Sequence, residues 1–522
     1  MRKLVISLLT ALCVGQFATA QEGMKVTTSE PYKTSWTTDY ILTGQIGEKV
    51  YMIYGSSKEK KMLIYNSNLE LQKEVEIQAR GGDKRGIIGK DFSYRTAMFF
   101  EDGILCFFET YEKSSKSRML LCQRLDTDGN FVGDLTLIDQ IQANKKSNSG
   151  SFMLESSEDN TKFLVVQNEP YDKKADEKFI LKTFDGKLNK LAEKEVSLPY
   201  MDKNASVSDY YLSNRGDVYL MVEVDKEKSE KVKGEDDSFF ILYCVNLSKD
   251  GSLSEFKVEL PSKAIKRAAL RIDNESNTVM LSGFYSDIKT RASSTRDIDG
   301  FFSLSIDMAA NKLLTQGYKE LSNEIINQLR GKKADAKVKE GKGIDLSFSI
   351  LDYIRRPDGS SIIVAEKNFI SQVTHCNQYG ACYTIYYYNN HNIFLIGLSA
   401  TGEVQAFYDI PKRQTVSGNG MYNSVSIMEK DGKIVFLYND NKKNATRDIK
   451  TFKDAKVMNN PQKAVLTAVE FSGNGDMRGA QIPLDKKMKP IPTPRYAREV
   501  SKGVYIVPAI KRGGIALLKF EL

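Results

Sequence analysis

One unit, repeated seven times, constrains this chain more than any single motif. An apolar run, a tight polar turn and a second run opened by an apolar residue recur as "MLIYNSNLELQKEVEI" (62–77), "LLCQRLDTDGNFVGDLTLI" (120–138) and "FILKTFDGKLNKLAEKEVSL" (179–198). Later copies are "FILYCVNLSKDGSLSEFKVEL" (240–260), "FFSLSIDMAANKLLTQGY" (301–318), "IFLIGLSATGEVQAFYDI" (393–410) and "VLTAVEFSGNGDMRGAQIPL" (465–484). A β-hairpin with two oily faces cannot cover both by itself, so its copies must stack on one another.

Before most copies stands another hairpin-like pair, for example "YRTAMFFEDGILCFF" (94–108), "YLSNRGDVYLMVEV" (211–224) and "NSVSIMEKDGKIVFLY" (423–438). Two hairpins make a four-stranded sheet. Such sheets, recurring every roughly 57 to 91 residues with length changes confined to polar loops, describe an all-β fold, a β-propeller. Continuous apolar runs such as "GILCFF" and "KIVFLY" suit strands buried on both faces between neighbouring sheets. The last segment, 496–522, offers about three strands and lacks a fourth. An open ring would leave a row of unpaired backbone groups, and "MKVTTSE" (24–30) supplies the missing outer strand. Eight blades follow, with seven as the alternative.

One stretch departs from this pattern. In "LSNEIINQLRG" (321–331), Ile325, Ile326 and Leu329 fall at helical spacing, with Ser322 or Asn323 as N-cap and Gly331 as a stop. The lysine-rich "KKADAKVKEGKG" (332–343) follows, so 321–343 reads as a short helical insertion in a single domain spanning 21–522.

Residues 1–20 read as a secretory signal peptide: Arg2 and Lys3 precede an apolar run, and Ala18-Thr19-Ala20 offers small residues before a cleavage point at Gln21. Cys13 follows Leu12, where lipid attachment wants a small residue. No later stretch is apolar for the length a membrane-spanning helix needs, which places the mature chain outside the cytoplasm, in the periplasm, on the outer surface or secreted. Losing Arg2 and Lys3 lowers the net charge from +8 to +6. Lysine alternates with glutamate in runs such as "DKEKSEKVKGEDD" (225–237), a solvated surface and not a nucleic-acid footprint.

Five cysteines follow the signal. An odd number leaves at least one unpaired, and Cys244, inside "FFILYCVNL", reads as a buried thiol. Cys376 and Cys382 bracket "NQYGA", whose Gly380 can turn the chain, so they read as a disulfide. Cys106 and Cys122 lie symmetrically about "EKSSKS" and are expected to face each other across a hairpin.

The stretch "THCNQYGACYTIYYYNNHN" (374–392) holds both histidines of the chain. If the run after Cys382 is a strand, Thr384, Tyr386 and Tyr388 share one face while Tyr383, Ile385 and Tyr387 share the other. Tyrosines on both faces make an adhesive, amphipathic surface. His375, Tyr379, Tyr383, Tyr386, Tyr387, Tyr388 and His391, within a cysteine–tyrosine hairpin insertion at 370–392, are the candidate binding residues. No catalytic residue is assigned. His375 and Cys376 are strand neighbours pointing to opposite faces, and no G-x-S-x-G elbow exists. "DTDGNF" (126–131) begins like a calcium loop but has Leu137 at the twelfth position and reads as a turn, and no zinc spacing occurs. Neither a metal nor a cofactor is expected.

From these hairpins, the signal and the closing strand, the chain resembles the secreted β-propeller proteins common in envelope and surface systems of Gram-negative bacteria. The resemblance lies in pattern: tryptophan–aspartate repeats, kelch double glycines and sialidase-type Asp boxes are all missing, so it implies a fold and no activity. The reading is a non-enzymatic extracytoplasmic propeller that engages a protein or glycan at the cell envelope through rim loops. Two alternatives stand beside it: a carbohydrate- or peptide-acting hydrolase using carboxylates of the central channel, and a structural subunit of an envelope assembly. Three or more acidic side chains converging in the channel favour the hydrolase. The oligomeric state is not set by the sequence.

Overall fold

The computed structural model of the protein describes residues 24–34, 40–56, 59–79, 92–231, 237–287, 297–321, 344–345, 348–356, 358–376, 379, 382–444, 454–472, 475–484 and 490–522. The signal segment and the expected helix of the 321–343 insertion fall outside these residues, apart from Leu321. Chain order gives eight antiparallel blade sheets: 40–77, 93–142, 151–201, 205–258, 263–320, 348–410, 426–482, and a last one built from 491–521 together with the N-terminus, besides a two-stranded pairing of Asp297–Ile298 with Ile344–Asp345. All seven repeated hairpins are the third and fourth strands of blades one to seven. The pairs that precede them are the first and second strands.

The turn between third and fourth strands explains how differing sequences make the same hairpin. In blades one, two, three and six, a side-chain oxygen of the first turn residue accepts the backbone N–H groups two and four positions on: Asn66, Asp126, Asp185 and Ser399 do so at 2.8–3.2 Å. The fourth turn residue is left-handed in each, whether glycine (Gly129, Gly402) or leucine (Leu69, Leu188). This is the three-residue loop that a short polar side chain can hold from within. The would-be calcium loop at Asp126 is therefore a turn, and lysines of blade one occupy its other oxygens: Lys49 reaches Asp128 at 2.5 Å and Lys73 donates to the Asn130 side chain at 2.7 Å.

Alternation along the middle strands sends successive side chains into different interblade cores. In the strand Val218–Asp225, Val218, Leu220, Val222 and Val224 pack with blade three, while Tyr219 and Met221 pack with blade five. Eight such cores follow one another around the molecule, between each blade and the next, and the eighth joins blade eight to blade one through Ile506, Ile510, Ile515 and Leu517 against Met52, Leu63 and Tyr65. The ring is therefore closed.

Its seam is the expected N-terminal strand. Lys25–Thr28 pairs antiparallel with Gly514–Glu521, from Lys25 opposite Glu521 to Thr28 opposite Leu518. Ser29 completes the seam: its N–H donates to the Leu517 carbonyl and its hydroxyl accepts the Leu517 N–H, both at 2.9 Å.

One expectation is corrected. Cys106 lies opposite Gln123, and Cys122 opposite Phe107, so the two cysteines are one residue out of register. They point to opposite faces, Cys106 into the core shared with blade one and Cys122 into that shared with blade three. Both remain free buried thiols, as does Cys244.

Candidate functional site

The two middle strands of blade six, Ser361–Cys376 and Cys382–Leu398, are longer than any other described strand. From Ser361 to Glu366 every residue is buried; from Phe369 to Cys376 every residue is exposed. At about 3.3 Å per residue the hairpin runs on roughly 25–30 Å past the blade. The strand Gln414–Ser417 accompanies it only as far as Tyr387, leaving a two-stranded arm. The expected disulfide between Cys376 and Cys382 closes the arm. Closing so short a loop is worth about 2 kcal/mol, less than ordering the roughly five residues inside it costs.

Cross-strand partners share a face. On one face lie Phe369, Ser371, Val373 and His375 with their partners Asn389, Tyr387, Ile385 and Tyr383. His375 stacks on Tyr383 with ring centroids 5.3 Å apart. On the other face lie Ile370, Gln372 and Thr374 with Tyr388, Tyr386 and Thr384, the two threonine hydroxyls 2.9 Å apart. Tyr379 at the tip is 86% exposed, Ile370 63%, Tyr383 62% and Tyr386 52%. Tyr387 and Tyr388 are half-buried.

His391 does not join them. It sits at the base, in a β-bulge where two residues oppose Lys367 alone, 8% exposed and edge-on to Phe369. Burial, followed by the positive charges of Lys412, Lys367 and Arg413, pushes its imidazole down to about 3, so it stays neutral.

The base carries a buried polar network that sequence reasoning missed. Lys412 Nζ donates to Glu366 Oε1 at 2.7 Å, the Gln414 side chain at 2.9 Å and the Asn390 carbonyl at 3.0 Å, satisfying all three of its protons. Glu366 Oε2 accepts from Asn390 Nδ2 at 2.6 Å and Ser424 Oγ at 2.8 Å. Gln414 passes the chain of bonds to the Asn439 carbonyl of blade seven, and Asn439 Nδ2 donates to the Pro492 carbonyl of blade eight. Three blades thus clamp the root of the arm. The partners are 46 residues apart in sequence and follow no pattern. Phe369, Ile370 and Val373 of the arm were also missed, although one signal was present: residues 368–392 contain no Asp, Glu, Lys or Arg in a chain where these make up 27%.

The first strands of neighbouring blades approach one another around the axis. Three of them bring Asp352, Glu429 and Glu499 to a cavity of about 240 Å³ with Ile354, Ile427, Ala497 and Tyr505. Burial, then the Asp352 and Glu499 charges, raise Glu429 above the usual carboxylate range. A second group, Glu155 and Asp209, lines a smaller cavity, and burial with the Asp209 charge pushes Glu155 up to about 7 against the pull of Arg271 and Arg498. Among the described residues no group of three His, Cys, Asp or Glu side chains could hold a metal ion, and no helix is long and apolar enough to cross a membrane.

Fold and site together define an eight-bladed β-propeller with a projecting, disulfide-closed arm on its sixth blade. No family model matches the chain, and no curated protein does. Among solved structures it is similar to the WD40 domain of SCAP from fission yeast, at 9% identity with 95% of each chain covered and a TM-score of 0.41. It is also similar to the β-propeller domain of the Trilobed protease from Pyrococcus furiosus, at 12% identity over 87% of this chain and 98% of that one, TM-score 0.36. A third is polysaccharide lyase Uly1, at 10% identity over 86% and 93%, TM-score 0.38. None of these likenesses bears on what this chain binds.

Proposed function

We propose that the protein is an extracytoplasmic binding or scaffold propeller whose blade-six arm, with His375, Tyr379, Tyr383, Tyr386, Tyr387 and Tyr388, engages a protein partner at the cell envelope. The observation that carries this reading is the uncharged arm itself, exposing Tyr383, Tyr386 and Ile370 to solvent on two faces while a buried ion pair fixes its root. Large exposed apolar surfaces mark interaction sites, and tyrosines supply contact area at little entropic cost. A structural subunit of an envelope assembly would use the same surface. The disulfide fits an oxidising compartment. In the test, a Tyr383→Ser/Tyr386→Ser/Ile370→Ser variant and the wild type are cross-linked in the native envelope. The variant should lose a partner; an unchanged set of cross-linked proteins overturns the reading.

A second reading, a carbohydrate- or peptide-acting hydrolase, is favoured by Asp352, Glu429 and Glu499 around one cavity. Carboxyl groups gathered at one cavity, with burial raising the pKa of Glu429 among them, make the kind of setting that acid–base hydrolysis uses. Hydrolysis of a glycan or peptide panel that Glu429→Gln abolishes would support it, and inactivity of the wild type on the panel would remove it.

A further inference from the structure

We propose that the edge Phe369–Cys376, unpaired among the described residues, pairs with the same edge of a second copy of this chain, antiparallel about a two-fold axis at Gln372. This goes beyond the partner reading above, because pairing through the edge uses backbone groups and leaves Tyr383 and Tyr386 displayed on the faces.

Four features of the arm point to this occupant. Among the described residues, the strand from Phe369 to Cys376 is paired on one side only, by Cys382–Asn389. A two-stranded ribbon exposed on both faces is marginal in water, and three or more strands are needed for it to stand alone. The arm is such a ribbon over Gln372–Cys376, beyond the reach of Gln414–Ser417, and joining two copies sets each ribbon within a sheet of at least four strands. Secondly, the edge lacks the usual protections. Exposed edges are normally blunted by lysine, proline or an inward charge, and "FISQVTHC" (369–376) has none of them.

Thirdly, the edge is complementary to itself. With Gln372 opposite Gln372 of the second copy, Phe369 falls opposite the second copy's His375, Ile370 opposite its Thr374 and Ser371 opposite its Val373. Residues of the same parity meet, so each face continues across the seam. Since His375 already stacks on Tyr383, the row becomes Tyr383, His375 and then Phe369 of the second copy, the kind of aromatic cross-strand run that stabilises sheets. Finally, the chain carries a net charge of +8. Charged residues of both signs are spread over the rest of the chain, whereas 368–392 has none, so two arms meeting edge to edge oppose no like charges.

The test is sedimentation velocity of the mature chain at concentrations on the order of tens of µM, in the range where even a modest interface is populated. A dimer is expected. Gln372→Lys/Val373→Lys sets lysines against lysines at the axis and should return the chain to monomer. Retention of the Cys376–Cys382 disulfide and an unchanged circular dichroism spectrum show that the arm still folds. Gln372→Cys should form an intermolecular disulfide under mild oxidation. The proposal is overturned by a wild type that stays monomeric, by a dimer that the lysine pair leaves intact, or by failure of Gln372→Cys to cross-link. A monomer with the edge protected from hydrogen exchange, as when a segment of the same chain covers it, also overturns it. Because the lysine variant keeps Tyr383 and Tyr386, loss of the dimer with envelope cross-links preserved separates this inference from the partner reading.

Discussion

Lys412 and Glu366 form an ion pair of 2.7 Å at the root of the blade-six arm, with neither side chain reaching solvent. Burial lowers the Lys412 ammonium pKa, and the Glu366 carboxylate works against that shift. Desolvating both groups is costly, so the pair holds position and register more than it adds net stability. Removing one partner strands the other. Lys412→Met should therefore lower the unfolding free energy by about 3–5 kcal/mol, measured by urea denaturation, and make the arm more sensitive to limited proteolysis. A loss within about 0.5 kcal/mol, the range of ordinary surface substitutions, would show that the network does not clamp the arm.

His391 gives a pH signature. Its folded-state value of about 3 lies below the ordinary 6.5, so between these limits the unfolded chain takes up a proton that the folded chain does not. The resulting contribution to stability is present above pH 6.5 and is lost as pH falls toward 3. Between pH 7 and pH 5 the wild type should lose about 2 kcal/mol relative to His391→Gln. Asp409 and Asp440, each pushed up to about 6 by burial, run the other way, but both proteins share them and they cancel in the difference. A wild-type-minus-variant difference that is flat with pH would contradict the neutral, buried imidazole.

Ring closure rests on few residues, and the seam is accordingly sensitive. Deleting 24–30 removes the four ladder pairs and both Ser29–Leu517 bonds, keeps only the pairing of Tyr32–Lys33 with Gly514 and Ile515, and leaves Leu517–Glu521 as a bare edge, the state that invites association. Calorimetry should show a lower melting temperature and light scattering should show aggregation on warming. An unchanged melting temperature would mean that the interblade cores alone hold blades eight and one together.

Much of this protein could be read from its sequence. Apolar alternation and turn residues located all seven hairpins, because a strand's burial pattern and its turn chemistry are local: Asn66, Asp126 and Asp185 hold their turns through atoms within four positions. The closing strand followed from an edge that needed a partner. The Cys376–Cys382 bridge followed from a short spacing around a turn.

Tertiary structure decided the rest. Whether Cys106 meets Cys122 depends on a one-residue register that neither strand carries alone. His391 reads the same as His375 in sequence, yet one is sealed under Phe369 and the other stacks on exposed Tyr383, since burial belongs to the neighbours a fold brings in. Lys412 and Glu366 meet because the chain leaving the fourth strand of blade six folds back over the root of the arm, and Gln414 and Asn439 then tie that root to blades seven and eight. Local propensity acts over a few residues, whereas register, burial and charge pairing are properties of surfaces that come together only when the ring closes.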